Sequence, residues 1–306
     1  MFQDIDYVLT YADYTKKEII DLYESVSGKK IDIGTDNNYI DLTLLLKLIL
    51  KNLPFINHIF ITHKDVQKLP SETEELISEM NGKIISVNES EFMPGNYTTF
   101  SSGCIEMFLW RIPGLSEYFI YANDDMLPLK KLKKEYFFIN KTPIMKFNFG
   151  SVPMSCLYDL HCLNSTNLIF HRTDNIDNYS SICQTEHSFR PIRKSICQKC
   201  FDEYENFIMS SLYPVRFYNN FNFNLFMLYA LKNGMVESVK EMPYTFKFCH
   251  ATLSEVTIYD RYIKDGIFEN VEDVICFNDP GSSFGDNSEE IVGKMRNIML
   301  KCLEIY

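Results

Sequence analysis

The chain has 306 residues, 46% hydrophobic and 14% aromatic, so it can bury a substantial core as one large or two small domains and is not disordered. Its formal net charge of −11 argues against nucleic acid or a broad anionic membrane as a partner, because both need a cationic surface. The start, MFQDIDYVLTYAD, lacks the features of a signal peptide, and no window holds about 18 uninterrupted apolar residues, so we expect a cytoplasmic protein.

The first 140 residues alternate short apolar runs with helical patterns, which is typical of an α/β fold with a Rossmann-like, mostly parallel central sheet. β-Branched and aromatic residues predict strands at 5–11, 57–62, 83–87 and 118–122. NNYIDLTLLLKLILKNLP is apolar over most of its circumference and predicts a helix buried on the sheet and ending at Pro54. Another helix is expected to start at Ser101 and Ser102.

The second part of the chain has a looser pattern. Residues after 140 predict short strands, a polar loop at 164–190, and helices near 191–209, 219–233 and 288–303. A loop of that length is typical of a lid or of a disordered segment. No repeat or low-complexity linker divides the chain, so we predict one domain over residues 1–306 with a helical second half at 141–306.

Two carboxylates and an amide, Asn123, Asp124 and Asp125, directly follow the predicted strand 118–122. Open α/β sheets bind ligands beyond the carboxyl ends of their strands. Adjacent carboxylates repel unless a cation or protons offset their charge, and Mg²⁺ favours one or two carboxylates together with phosphate oxygens. The motif therefore predicts a Mg²⁺ site, with Mn²⁺ as the alternative metal. A simple polar turn explains the same residues equally well, since Asn and Asp are common in turns.

Basic residues are concentrated in EHSFRPIRKS, residues 186–195, in an otherwise acidic chain. His187, Arg190 and Lys194 could bind an anion, because Arg binds phosphate in bidentate fashion and His takes a proton near neutral pH. A solvated basic face is the alternative. Arg216, in YPVRFYNNFNFN, could reach the same phosphates, although an isolated Arg is more often a surface or ion-pair residue.

Two weaker candidates for metal binding remain. ICFNDPGSSFGDN repeats the order of strand, Asn-Asp and glycine-rich turn, so Asp279 could supply another ligand, or the segment is only a turn. Cys197 and Cys200 have a zinc-ligand spacing with Cys183 nearby, but a second pair is missing. We expect the nine cysteines to be buried thiols.

These segments resemble the Stealth family of sugar-1-phosphate transferases over nearly the whole chain. The resemblance is carried by IDYVLTYAD, DNNYIDLTLLLKLILKNLPFINHIFITH, FSSGCIEMFLWRIPGLSEYFIYANDDM, HSFRPIRKS with RFYNNFNFNLF, and CFNDPGSSFGDN, in the family's order. The chain departs from the family pattern at Trp110, where histidine is usual, and at Asn220, where an acidic residue is expected.

The resemblance implies a glycosyltransferase-A-like fold and transfer of a sugar 1-phosphate, with N-acetylhexosamine as the expected sugar, from a UDP-sugar to a glycan or lipid-linked glycan hydroxyl. UMP is released, and the product is a phosphodiester in a capsule or cell-surface polysaccharide. Residues 1–140 would be the nucleotide-sugar-binding half, and 141–306 would complete the active site. Peripheral contact with the membrane or with a polysaccharide assembly complex is compatible with such a substrate.

The resemblance also implies roles for individual residues. His187 is expected to be the general base, with Asp124 and Asp125 as metal and diphosphate ligands and Arg190, Lys194 and Arg216 as the phosphate clamp. The residues expected to line or brace the nucleotide-sugar pocket are Asp6, Tyr11, Asp13, Asp36, Asn37, Ser101, Ser102, Glu106, Arg111 and Asn123.

Two other functions stay open. In an ordinary metal-dependent glycosyltransferase, the same carboxylates would hold the diphosphate, and UDP rather than UMP would be released. In a non-catalytic sugar-nucleotide-binding subunit, the departures at Trp110 and Asn220 would mark lost activity.

Overall fold

A computed structural model describes residues 4–30, 40–95, 97–153, 156–172, 179–278 and 288–305. Here a central sheet has five strands in the order β3-β2-β1-β4-β9, with elements numbered along the chain. These strands are β1 (Ile5–Thr10), β2 (Ile56–His63), β3 (Ile84–Asn88), β4 (Tyr118–Asn123) and β9 (Arg190–Arg193). The first four pair in parallel, and β9 pairs antiparallel with β4. The predicted α/β class, the mostly parallel sheet and its four predicted strands are confirmed.

In the described residues, four helices lie in the connections between the parallel strands. They are α1 (Lys17–Ser27), α2 (Leu42–Asn52), α3 (Ser71–Glu79) and α4 (Ser102–Glu106). The side chain of Asp41 caps α2 by accepting a hydrogen bond from the backbone N–H of Leu44 at 3.0 Å. Because α2 is apolar on most sides, Leu45, Leu46 and Leu48 are all fully buried. The buried helix predicted from the sequence is therefore present.

The described residues that follow β4 add two smaller sheets and five helices. The strands are β5 (Met126–Pro128), β6 (Phe138–Ile139), β7 (Thr142–Pro153), β8 (Tyr179–Thr185), β10 (Glu237–Val239), β11 (Phe246–His250) and β12 (Val274–Asn278). The helices are α5 (Leu157–Phe170), α6 (Lys194–Ser210), α7 (Asn224–Lys232), α8 (Leu253–Lys264) and α9 (Ser288–Ile305). β7 pairs with β6, β8 and β10, while β12 lies between β11 and β5.

The predicted polar loop at 164–190 is wrong over most of its length. α5 continues to Phe170, and β8 begins at Tyr179. The hydroxyls of Ser165 and Thr166 donate to carbonyls four residues earlier, at 2.8 Å each, so these polar residues are accommodated inside the helix. The next helix was predicted from residue 191, but it starts at Lys194 because the preceding four residues form β9.

The central sheet separates two apolar layers, as the alternation along β1 requires. Tyr7 and Leu9 belong to the layer that contains α2 and α9, whereas Val8 belongs to the layer that contains α6 and α7. Residues after 140 thus cover both faces of a sheet built largely by residues before 140. Among the described residues, none of the helices is both long enough and apolar enough to cross a bilayer.

Candidate active site

The segment Asn123, Asp124 and Asp125 links the end of β4 to β5. The pairing of β5 with β12 brings Asp125 beside Cys276, and the backbone carbonyl of Asp125 accepts from the N–H of Phe277 at 3.0 Å. The Cys276 thiol donates to Oδ2 of Asp125 at 3.3 Å. Oδ1 of Asp125 is buried without a hydrogen-bond partner among the described residues. An unsatisfied buried carboxylate oxygen is a candidate ligand atom for a cation.

The electrostatics of the two carboxyl groups also fit a cation. Burial, and then the charge of Asp125, raise the pKa of Asp124 to about 7. Burial likewise raises the pKa of Asp125, against the opposing effects of the Cys276 hydrogen bond and of Arg190. Two adjacent carboxyl groups that resist ionisation together are stabilised by a proton or by a positive ion.

His187 and Arg190 lie next to this segment, in the chain that leads into and begins β9. Arg190 pairs with Tyr121 across the β4–β9 ladder, which places it near the carboxyl end of β4. Its Nη2 donates to Nδ1 of His187 at 3.3 Å. Burial, then the charges of Arg190 and Arg216, lower the pKa of His187 to about 3, so its imidazole is neutral.

The side chains of His187 and Arg190 each have a nitrogen that makes no hydrogen bond to the described residues. Nε2 of His187 and Nε of Arg190 are buried and have no partner in the described part of the chain. The His187 ring is held edge-on between Tyr158 and Phe248, with centroid distances of 5.5 Å to each. The imidazole is therefore fixed by aromatic packing, while its Nε2 remains available to a ligand.

Asp125, His187 and Cys276 form the only group of three possible metal ligands found within the described ranges, with ligand atoms all within 4.8 Å of one another. Oxygen, nitrogen and sulfur together suit a transition metal such as Zn²⁺, whereas Mg²⁺ prefers oxygen. Asp279, the other predicted ligand, lies outside the described residues. Cys183, Cys197 and Cys200 are buried thiols apart from this group.

α4 and the segment before α7 form another wall. Nη2 of Arg216 donates to Oγ of Ser102 at 3.0 Å, and the Arg216 charge acts on His187 and Asp125. Glu106 is buried and accepts from the hydroxyl of Tyr121 at 2.8 Å and from the backbone N–H of Phe223 at 2.6 Å. These contacts connect Arg216 to α4 and connect Glu106 to Tyr121, the residue that pairs with Arg190.

Individual hydrogen bonds hold the other predicted residues at this edge of the sheet. The Tyr121 hydroxyl also reaches Oδ1 of Asn123 at 2.6 Å. Ser101 donates to Oδ1 of Asn220 at 3.0 Å. Asp13 accepts from the backbone and hydroxyl of Thr15, and so shapes the turn that follows β1. Tyr11 is buried beside this turn, at the same end of β1.

Two predicted residues, Asp6 and Lys194, lie at the other end of the central strands, and a third, Arg111, lies on the surface; their roles stay predictions. Asp6 is at the start of β1, where it accepts from the backbone N–H groups of His58 and Ser116. Lys194 follows β9 at the opposite end from Arg190, about 13 Å along the strand, and its Nζ contacts the carbonyl of Leu115. The guanidinium of Arg111, an exposed residue, lies over the Phe108 ring.

Lys194 is separated from Arg190 because residues 190–193 form a strand and α6 begins only at Lys194. Side chains four residues apart are neighbours on a helix but are far apart on a strand. Asp36 and Asn37 lie outside the described residues. Cys276, Tyr158 and Phe248 were missed, since nothing in their local sequence indicates that β12, α5 and β11 converge on His187.

The departures from the family pattern have structural roles here. Asn220 is fully buried; its side chain accepts from the backbone N–H of Phe217 at 2.7 Å and donates to the carbonyl of Ser211. The indole N–H of Trp110 donates to the carbonyl of Met107 at 3.1 Å, and its ring packs on Phe201. Neither residue contacts His187 or Asp125 in these interactions.

Comparison with known proteins finds one matching family model and a set of relatives. The family model "Stealth protein CR2, conserved region 2" matches residues 36–145. A capsular polysaccharide phosphotransferase of Neisseria meningitidis serogroup B is 26% identical, covering 98% of this chain and 83% of the relative. One from Actinobacillus suis is 25% identical over 99% of this chain and 82% of the relative. A third, cps1A of Actinobacillus pleuropneumoniae, is 30% identical over 63% and 52%, respectively.

Similarity to solved structures is weaker. The galactosyltransferase LgtC, solved with donor and acceptor sugar analogues, has a TM-score of 0.42 and 13% identity, covering 94% of this chain and 95% of that one. The glycosyltransferase GlyE of Streptococcus pneumoniae has a TM-score of 0.43 and 12% identity, covering 97% and 63%. We base the α/β assignment on the strand pairings.

Proposed function

We propose that this chain is a member of the Stealth family and a phosphotransferase that moves a sugar 1-phosphate from a UDP-sugar to a glycan hydroxyl. The expected sugar is an N-acetylhexosamine, the nucleotide product is UMP, and the glycan is a capsule or cell-surface polysaccharide. The names of the relatives support the phosphotransferase class and the capsule. The donor, the sugar and the released nucleotide are part of the proposal.

The observation that carries the proposal is the contact between Arg190 and His187 beside Asp125. Transfer of a phosphoryl-type group needs a positioned hydroxyl, a group that takes its proton, and cations that offset the charge of the phosphate oxygens. His187 is neutral, and its lowered pKa makes it a weak base until an anionic ligand offsets the charges of Arg190 and Arg216. Arg190 and Arg216 bring positive charge to the same place, and a phosphate is the natural ligand of such a pair.

The hydrogen bond between Arg190 and His187 suggests how donor binding prepares the base. A guanidinium only donates, so Nδ1 of His187 is the acceptor and the neutral ring carries its proton on Nε2. A phosphate oxygen would offer Arg190 a charged and therefore stronger acceptor. When Arg190 turns to the donor, the imidazole becomes free to hold its proton on either nitrogen and to accept another on the nitrogen that faces the hydroxyl.

The proposed reaction forms one phosphorus–oxygen bond and breaks another. The acceptor hydroxyl oxygen attacks the β-phosphorus of the UDP-sugar and forms the new phosphorus–oxygen bond, while its proton passes to His187. The bond from that phosphorus to the bridging oxygen of the diphosphate breaks, and UMP leaves with the bridging oxygen. Arg190 and Arg216 stabilise the charge on the phosphate oxygens during the exchange.

The carboxylates Asp124 and Asp125 would hold the divalent cation, for which we propose Mg²⁺. The buried Oδ1 of Asp125 without a partner and the raised pKa of Asp124 support this assignment. A bound Mg²⁺ would neutralise diphosphate charge and orient the donor. Asp279 is a third candidate ligand from the sequence alone.

Product analysis tests the proposal. The purified protein is incubated with UDP-N-acetylglucosamine or UDP-N-acetylgalactosamine, Mg²⁺ and capsular glycans, with and without chelator, and the nucleotides are separated by chromatography. UMP that appears only with metal and acceptor is the expected result. UDP as the product would instead mean ordinary glycosyl transfer, and donor binding without either nucleotide would mean a binding subunit.

A further inference from the structure

A cavity of about 330 Å³ lies beside His187, where β7, β8, α5 and β11 meet. Its lining residues are Asn148, Tyr158, Gln184, Thr185, Glu186, His187, Phe246, Lys247 and Phe248. The volume is at the lower end of the range for small-ligand pockets and is sufficient for a single sugar residue. None of the other lining residues was assigned a role from the sequence.

Three polar atoms around the cavity are buried without hydrogen-bond partners in the described part of the chain. They are Oε1 of Gln184, Oγ1 of Thr185 and Nε2 of His187. Thr185 is only 3% exposed, so bulk water does not compensate for its hydroxyl. An unpaired buried polar atom is destabilising, and a ligand that carries several hydroxyl groups would satisfy these atoms.

Aromatic rings form the apolar part of the same lining. Phe248 is 40% exposed although it packs edge-on against His187. Phe246 and Tyr158 complete the aromatic surface. Rings of this kind provide a rigid apolar face for the C–H groups of a pyranose, while the neighbouring polar atoms bind its hydroxyls.

The charges around the cavity indicate an uncharged ligand. Glu186 and Lys247 are its only ionisable lining residues with permanent charge, and their charges cancel. Glu186 is also paired with Lys146, whose Nζ lies 3.3 Å away. The positive charge of the site is instead carried by Arg190 and Arg216, next to the carboxylates. A diphosphate therefore fits the arginine side of His187, and a neutral glycan fits the cavity side.

We infer that this cavity is the subsite for the acceptor glycan, and that Gln184, Thr185 and Phe248 bind the sugar whose hydroxyl is phosphorylated. This inference rests on the proposed function and adds the location and chemistry of acceptor binding. His187 then lies between the two substrates, with the donor phosphate on one side and the acceptor sugar on the other.

A binding experiment tests the subsite without requiring turnover. Saturation-transfer NMR uses a mixture of the methyl glycosides of glucose, galactose, N-acetylglucosamine and N-acetylgalactosamine as probes. We expect at least one glycoside to give signals with the wild-type protein, to retain them when UMP is added, and to lose them in Thr185→Val and Phe248→Ala. Phe207→Ala removes an exposed ring from α6 and serves as the matched control, with signals unchanged.

Steady-state kinetics provides the second measurement. In Phe248→Ala we expect KM for the glycan acceptor to rise about tenfold, with donor affinity unchanged. Signals that persist in both cavity variants, signals displaced by UMP, or no signal from any glycoside would overturn the subsite. Glycoside binding at the cavity together with no UMP formation by the wild-type protein would instead contradict the proposed function, so the two failures are distinguishable.

Discussion

At the level of single residues, the site depends on which groups accept hydrogen bonds from Arg190. Arg190 is 4% exposed; its guanidinium faces the Tyr121 ring at 5.8 Å and donates one N–H to His187, while its Nε has no partner in the described structure. A fully paired buried arginine would be a structural residue. An incompletely paired one beside a neutral histidine has donors left for an anionic ligand.

The first prediction concerns His187. In His187→Ala we expect turnover to fall by about 10²–10⁴, because the variant lacks the group that takes the acceptor proton, whereas donor affinity stays within a few-fold. Rates of UMP formation and calorimetric titration with the UDP-sugar measure the two quantities. His58→Ala, at the start of β2, is the control and should retain wild-type rates. Near-normal turnover in His187→Ala would remove His187 from the reaction.

Sequence reasoning found the residues that carry distinctive chemistry but not their surroundings. Asp124, Asp125, His187 and Arg190 were singled out by residue type and by their position relative to a strand. Cys276 contacts Asp125 only because β12 pairs with β5, a long-range register that no local pattern specifies.

Among the elements, α4 depends on a close approach to the chain before α7. A Cβ atom added at Gly103 would lie 2.2 Å from the carbonyl oxygen of Phe221, so only glycine fits without a backbone shift. α4 also carries Ser102, which contacts Arg216, and Glu106, which binds the backbone of Phe223. The residues of α4 thus serve the packing, through Gly103, as well as the site, through Ser102 and Glu106.

The second prediction follows from this contact. Gly103→Ala should lower the free energy of unfolding by about 1–3 kcal/mol and reduce activity, because the clash displaces Arg216 and Glu106. Denaturant unfolding and UMP formation measure the two effects. Gly293→Ala in α9 meets no atom within 4 Å and should be neutral or stabilising by up to about 1 kcal/mol. Equal stability of the two variants would contradict the close approach.

α5 fixes the segment that bears Arg216 through three hydrogen bonds. Nε2 of His161 donates to the carbonyl of Phe217 at 2.8 Å, and Nδ2 of Asn164 donates to the carbonyls of Tyr218 and Asn220 at 2.8 and 3.0 Å. Burial, helped by the charge of Arg216, lowers the pKa of His161 despite the opposing effect of the Phe217 carbonyl.

The third prediction is a pH dependence of stability. Since the pKa of His161 is lower in the folded protein than its unfolded value of about 6.5, the unfolded state binds the proton first as pH falls. The neutral, buried His161 therefore contributes to the stability of the fold above about pH 6.5, and this contribution is lost as the pH falls below that value. Thermal unfolding at pH 7.5 and 5.5 should show a smaller decrease for His161→Gln than for the wild type. Identical decreases would contradict the assignment.

Hydrophobic periodicity predicted the strands and helices whose apolar residues repeat regularly, and it failed for segments that bury polar residues. The strands β1, β2, β3 and β4 and the helix α2 were found because their apolar residues repeat at strand or helix spacing. The second half of α5, residues 164–170, was predicted as a loop because it is rich in Asn, Ser and Thr, and those side chains are satisfied by the backbone and by neighbouring segments.

For the whole molecule, the two halves of the sequence are interdependent. β9 completes the sheet beside β4, β12 pairs with β5, and helices of the second half cover both faces of the central sheet. The boundary near residue 140 therefore separates contributions to a site rather than separate packing units. Net charge and composition predicted a folded protein with a substantial core, but not how the two halves of the sequence pack together.

The fourth prediction tests this interdependence. A fragment of residues 1–140 should aggregate or unfold without a cooperative transition, because the apolar faces of β1 and β4 would be exposed to water. Size-exclusion chromatography and thermal unfolding measure this behaviour. Co-expression with residues 141–306 as a separate chain should restore solubility. A monomeric fragment with a cooperative transition would show instead that the first half folds alone.

The central claim is that the β-phosphorus of the donor becomes part of the glycan, and the path of that atom is the most direct measurement. A UDP-N-acetylhexosamine labelled with phosphorus-32 in the β-phosphate is incubated with the protein, Mg²⁺ and a capsular glycan. We predict that the label enters the glycan as a phosphatase-resistant diester while unlabelled UMP is released. Labelled UDP together with an unlabelled glycan product would contradict sugar-phosphate transfer.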